Sequence, residues 1–181
     1  MSRQIHRNLN RLRHLTPPRV RAAVISTILN RWTTNRRMRS FRRCQGSCLL
    51  RCSSSAVDSI EHYVHCRVMR DWMATRLRLQ GTCSGMEWGM LATEHTDMQL
   101  RMGAVATYVL YRTVNHLRHR TRLDGDDRIT YTCKFMGQIL YEACRDDLQL
   151  WRCCRGLPVA PRQKRRAEDS GATRRRTRPR R

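Results

Sequence analysis

Four soft metal ligands fall within nineteen residues of this chain, in the segment CLLRCSSSAVDSIEHYVHC that runs from Cys48 to Cys66. Cys48, Cys52, His62 and Cys66 form a C-x3-C-x9-H-x3-C pattern. Thiolate and imidazole are the donors that tetrahedral zinc prefers, and two close pairs let two tight turns wrap one ion. The second pair also reads as helical. Asp58 with Glu61 three residues later is a capping-box pattern, which starts a helix there. His62 and Cys66 would then share one face, about 5–6 Å apart at Cβ, a span that an ion with bonds of about 2.0–2.3 Å closes. Cys48 and Cys52 would approach from the preceding loop. Cys44 is an alternate first-pair ligand, since it stands four residues before Cys48. His65 adjoins Cys66 but points to a different face, as a solvated or phosphate-facing histidine. The competing reading is that free cysteines act as small buried hydrophobes, and a chain with nine of them clusters some by chance.

Charge divides the chain into three parts. Residues 1–43 contain twelve arginines and no acid, residues 44–161 fifteen basic and twelve acidic residues, and residues 162–181 ten basic and two acidic. The net charge of +23 is therefore +12, +3 and +8. A nearly balanced middle between strongly basic ends is expected of a folded unit with polyanion-binding arms. Nucleic acid is the polyanion expected, because each neutralised phosphate releases a condensed counterion. Thirty-five of the thirty-seven basic residues are arginine, whose guanidinium binds phosphate in a bidentate way and stacks on bases, favouring RNA or single-stranded DNA. A GC-rich coding sequence would produce the same bias without selection. Arg36, Arg37, Arg42, Arg43, Arg51 and Arg67 flank the four ligands and are the expected backbone contacts. In the tail, Lys164, Arg165 and Arg166, then Arg174, Arg175 and Arg176, form clusters of the type read as nucleic-acid patches or nuclear import signals. Those clusters imply a nuclear location and an import receptor as partner. No apolar leader or span of about 18 apolar residues occurs, so no membrane association is expected.

The remaining pattern is helical. Thr16 before Pro17 and Pro18 marks a helix start, with Val20, Val24, Ile28 and Trp32 on one face. Ile60, Val64, Val68 and Trp72 form a second stripe, on a helix that stops near Gly81. A helical turn is expected around Met86 to Leu91. Asp97 can cap a longer helix with Leu100, Ala104, Tyr108, Tyr111 and Leu117 inward, and a last helix runs from about Ile129 through Phe135, Ile139, Ala143 and Trp151 to Gly156. The expected fold is mostly α: a small helical domain containing a C-x3-C-x9-H-x3-C zinc knuckle, with basic disordered ends. Its parts are a basic N-terminal arm (1–15), a helix plus knuckle (16–80), a helical region (82–156) and a disordered basic tail (157–181).

The run AVDSIEHYVHCRVMRDW, with its upstream cysteine pair, resembles the zinc-binding segment that follows the polymerase domain in non-LTR (LINE-type) retrotransposon reverse transcriptases. Cys48, Cys52, Glu61, His62, Cys66 and Trp72 match that pattern, and PPRVRAAVISTILNRWTTNRRM resembles its helical lead-in. The family's first pair is more often C-x2-C. The resemblance covers roughly residues 16–80, and it implies a structural Zn2+ and a module that grips template RNA or target DNA without catalysing a reaction. Gly125-Asp126-Asp127 invites comparison with polymerase aspartates, but it follows a basic helix end and reads as a turn or helix cap; Asp146-Asp147 reads as a solvated helix face. No Y-x-D-D box, nucleophile elbow or P-loop occurs, so no enzymatic activity is expected of this chain. Two other readings are a decayed or mispredicted retroelement remnant and an unrelated small helical protein-interaction protein.

Overall fold

The computed structural model describes residues 3–32, 34, 47–53, 55–77, 94–119, 126–145, 147 and 150–152. Helices α1 (Arg3–Leu15), α2 (Pro18–Ile28), α3 (Ile60–His65), α4 (Arg67–Arg76), α5 (Asp97–Arg118) and α6 (Asp126–Cys144) carry the fold. Among the described residues there is no strand, only an isolated antiparallel bridge between Ser47 and Val57. The mostly helical class read from the sequence is the one observed. The turn expected at 86–91 and the tail 157–181 lie outside the described residues.

Helix α5 is the centre of the molecule, packing against α1, α2 and α6. Its residues from Leu100 through Leu110 are buried without interruption, which is the pattern of a helix enclosed on all sides rather than one with a single apolar face. Its start is fixed by a capping box one residue earlier than expected: the Thr96 hydroxyl accepts from Gln99 N at 3.2 Å, and Gln99 Oε1 accepts from Thr96 N at 2.9 Å. Asp97, released from capping, instead accepts from Arg11 at 2.5 Å. Arg11 also donates to the His95 carbonyl at 2.8 Å, tying α1 to the start of α5.

Residues 3–15 of the expected basic arm form α1. Leu9, Leu12 and Leu15 are buried on α5's side of the helix at three-residue spacing, and burying leucines stabilises by about 1.5–3 kcal/mol each. Arginine content obscured that apolar stripe. Thr16 belongs to the end of α1, its hydroxyl donating to the Leu12 carbonyl at 3.0 Å, while Pro17 caps α2 without a side-chain bond. Val20 and Val24 are buried as expected, but Trp32 lies beyond α2, which ends at Ile28. Its indole donates to Thr27 Oγ1 at 3.0 Å and packs against Tyr63 and Tyr111 with centroids at 6.0 and 5.6 Å. Trp32 thus joins α2, α3 and α5.

The single helix expected from Ile60 towards Gly81 is two. It breaks at Cys66, which has φ −58° and ψ 125° and serves at once as the C-cap of α3 and the N-cap of α4. The break rotates the buried face: Tyr63, Met69 and Trp72 are enclosed, while Ile60, Val64 and Val68 are only half-buried. The expected capping box is also corrected. Ser59, not Asp58, caps α3, accepting from His62 N at 3.1 Å. Asp58 is wholly buried and bridges two elements, accepting from Tyr63 Oη at 2.6 Å and from Arg118 at 2.7 Å. At the other end of the chain, α6 stops at Cys144, so Asp147 is not on a helix face. It accepts from Leu150 N at 2.9 Å and lies 3.8 Å from Arg101.

Removing the Asp58 carboxylate strands a tyrosine hydroxyl and a largely buried guanidinium. We expect Asp58→Ala to lower unfolding stability by about 3–5 kcal/mol, read as the midpoint of urea unfolding; a loss below about 1 kcal/mol would mean that the bridge is dispensable.

Candidate metal centre

The loop that precedes α3 turns back on itself before it reaches the helix. Arg51 N donates to the Cys48 carbonyl at 2.9 Å, closing a tight turn, and Cys48 N donates to the Ala56 carbonyl at 2.8 Å beside the Ser47–Val57 bridge. Arg51 takes φ 51°, the left-handed region, and this returns the chain so that Cys52 faces the same side as Cys48. The loop is anchored from three directions. Tyr63 Oη accepts from Leu49 N at 3.3 Å, Arg128 of α6 donates to the Leu49 carbonyl at 3.2 Å, and Asp58 holds Arg118 of α5.

These constraints bring the four expected ligands together. The ligand atoms of Cys48, Cys52, His62 and Cys66 all lie within 4.8 Å of one another, close enough to hold a metal ion. Cys48 Sγ and Cys66 Sγ are 3.9 Å apart, against the roughly 3.8 Å edge of a tetrahedron with metal–sulfur bonds of about 2.3 Å. Cys52 Sγ and His62 Nε2 are 3.1 Å apart. Cys48 and Cys66 are buried, whereas Cys52 and His62 are half-buried, so the cluster has an inner pair set against the core and an outer pair at the surface. His62 and Cys66 do not meet as neighbours on one continuous helix. The break at Cys66 ends α3 at His65, and the thiol occupies the N-terminus of α4.

The protonation pattern of the thiols is graded. Cys66 is drawn down to about 5, chiefly by the Cys48 thiol that donates to it and against its own burial, with help from the nearby Met69 amide, Cys52 and the charge of His62. Cys48 is pushed far up by that same hydrogen bond and then by burial. Burial, then the charge and hydrogen bonding of Cys66, push Cys52 up. One thiolate, Cys66, is therefore ready at neutral pH, and a metal would displace the protons of the other two.

No family model matches the chain, and neither a curated protein nor a solved structure shows significant similarity to it. The geometry therefore stands on its own residues.

The other expected site residues are distributed differently. Cys44, Arg36, Arg37, Arg42 and Arg43 lie outside the described residues, as do Lys164, Arg165, Arg166, Arg174, Arg175 and Arg176. Arg51 and Arg67 are exposed beside the cluster, Arg67 at 3.6 Å from Asp71 one turn on. His65 is exposed and outside the cluster. Asp126 and Asp127 open α6, at the end of a helix where acidic residues are most favoured. The residues that sequence reasoning missed are Asp58, Tyr63, Arg118 and Arg128, which hold the ligand loop in place. A buried tyrosine needs a partner for its hydroxyl, and that was the available signal.

Two outcomes are expected. Native mass spectrometry of the reduced chain with zinc should show one ion per chain and none for the Cys52→Ser, His62→Ala variant. Because Cys48 and Cys52 keep their protons at pH 7 while Cys66 does not, uptake should release about two protons, and apparent affinity should rise with pH by about 100-fold per unit below the thiol range. Calorimetry in buffers of different ionisation enthalpy measures that number. Separately, Arg51→Gly relieves a left-handed arginine and should stabilise the loop by about 1 kcal/mol, seen as slower zinc loss to a chelator.

Proposed function

We propose that this chain is a zinc-dependent nucleic-acid-binding module, in which the ion is structural and exposed arginines grip a phosphate backbone. The observation that carries the reading is the convergence of four ligand atoms to within 4.8 Å from a loop, a helix and a helix break. A Cys3His set fills all four tetrahedral positions, which is the mark of a structural rather than a catalytic zinc site. Such an ion would fix the loop to α3 and α4 and leave no open position for substrate, so the module acts by binding and not by bond chemistry.

Net charge of +23 supports a polyanionic partner. So does the outer face of α1, a helix without an acid. Arg3, His6, Arg7, Asn10, Arg13 and His14 recur at three- and four-residue spacing and are all exposed. Arg7 lies 3.6 Å from an exposed Glu94, a weak pairing at that exposure. Added to Arg51 and Arg67 at the cluster, this gives a second basic surface. Among the described residues no helix is long and apolar enough to cross a membrane. In the reading suggested by the LINE-type resemblance, the partner is RNA template or target DNA and the site of action is the nucleus. An import receptor would take the basic tail.

Fluorescence anisotropy with a short single-stranded RNA tests this. Affinity should fall steeply between about 50 and 200 mM salt. The double variant Arg3→Ala, Arg13→Ala should flatten the slope of log K against log salt by about 1.4, or about 0.7 for each phosphate that is no longer neutralised. A flat salt response of the parent chain would end the proposal.

A further inference from the structure

A cleft of about 580 Å³ opens between the end of α4, the outer face of α6 and Trp151. That is within the range of small-ligand sites, about 300–1,000 Å³. It shares no residue with the metal cluster or with the α1 face.

Gly137 lines this cleft from the middle of α6, where glycine is the weakest helix former after proline. A Cβ added there would meet nothing within 4 Å, so no neighbouring helix requires the glycine by close packing. Its missing side chain leaves the α6 backbone open to the cleft at that point. Leu140, buried, forms the floor one turn on. Trp151 is half-buried in the lining, and Tyr141 packs edge-on against its ring at 5.9 Å and 87°, which holds the indole plane. Among the described residues that line the cleft, the charged ones are Arg76 and Lys134, both exposed and of one sign. Among the described residues neither makes an ion pair.

An aromatic ring, an open gap at a helical glycine and two cations are the components that recognise a planar ring carrying a phosphate. Bases stack on indole faces, and a phosphate monoester carries up to two negative charges, which two cations match better than they match a single carboxylate. We infer that this cleft binds a nucleotide, with its base between Gly137 and Trp151 and its phosphate at Arg76 and Lys134. The inference deepens the nucleic-acid reading, on which it rests for a strand as the source of that nucleotide. A strand would present it as a 5′-phosphorylated end.

The test is calorimetric titration of the purified full chain with AMP, adenosine, inorganic phosphate, and a short oligoribonucleotide with and without a 5′ phosphate. AMP should bind, with adenosine and phosphate each at least about tenfold weaker. Gly137→Leu places its Cβ where nothing lies within 4 Å, extends into the cleft and favours the helix, so it should abolish AMP binding while the circular dichroism spectrum and melting temperature are kept. Lys134→Glu should weaken AMP by about tenfold or more. Unchanged AMP binding in both variants, or phosphate binding as tightly as AMP, overturns the inference while leaving salt-dependent RNA binding intact. AMP binding that Gly137→Leu removes, in a chain that does not bind RNA, supports the cleft and ends the strand-gripping reading instead. A 5′ phosphate that tightens RNA binding in the parent but not in Gly137→Leu supports a strand end as the occupant; equal binding of the two RNAs beside intact AMP binding supports a free nucleotide.

Discussion

Asp58 is buried completely, and both of its carboxylate oxygens are used. One accepts from Tyr63 and the other from Arg118. Tyr63 in turn accepts from the amide of Leu49, inside the turn that carries Cys48 and Cys52. A path of four hydrogen-bonded groups therefore runs from the ligand loop through α3 to the last turn of α5. Burial, followed by the charge and hydrogen bond of Asp58, pushes the Tyr63 hydroxyl far up, which keeps it a donor at every physiological pH. The desolvation of such a carboxylate is offset only when its lone pairs find donors. Here the donors come from sequence positions five and sixty residues away, so the carboxylate ties the local turn to the last turn of α5.

The ligand set was legible because it is local and chemically distinctive. Four soft donors in nineteen residues have few other uses, and the structure gathers those same four. The long helices were legible for a similar reason: Leu100, Ala104 and Tyr108 on α5 and Ile139 and Ala143 on α6 are buried, as their spacing requires, and α5 is enclosed on its other faces as well. Asp58 was not legible. Its position before Glu61 satisfies a local capping rule, and only the approach of Arg118 from another helix gives it a different role. The break at Cys66 also has no local mark, since neither glycine nor proline stands between Ile60 and Arg76. Tertiary demands cause it. Tyr63 must face Asp58 and Trp32, Cys66 must face Cys48, and Met69 and Trp72 must reach the core, and no straight helix presents all of them.

Cys66 is where those demands meet. Its backbone ends one helix and begins the next, with Cys66 N donating to the Tyr63 carbonyl at 3.3 Å and its carbonyl accepting from Arg70 N at 2.9 Å. Its thiol is the most acidic of the three cysteines of the cluster. A metal held there would fix the angle between α3 and α4 as well as the loop, because the ligand and the hinge are one residue. The two half-buried ligands, Cys52 and His62, sit on the solvent side of that hinge, so an ion could enter without unpacking the core.

Arginine composition, finally, misleads unless burial is consulted. Arg101 and Arg128 are each 9 % exposed; Arg128 and Arg118 donate to the Leu49 carbonyl and to Asp58, and Arg101 faces Asp147 at 3.8 Å without a hydrogen bond. Arg11 holds the α1–α5 corner, and Arg19 donates to the Glu142 carbonyl. These guanidiniums act as long-reach struts, suited to the task by a planar fork that satisfies carbonyls and carboxylates alike. Of these, Arg101, Arg118 and Arg128 contribute to net charge but offer little to a partner, whereas Arg19 is exposed. Under the proposed nucleic-acid reading, the arginines available to a polyanion are the exposed ones, among them Arg3 and Arg13 on α1, Arg51 and Arg67 beside the four candidate ligands and Arg76 at the cleft. Charge that is committed to internal struts cannot steer a ligand, so exposure would define such a surface, and the basic bias of the sequence is only its upper bound.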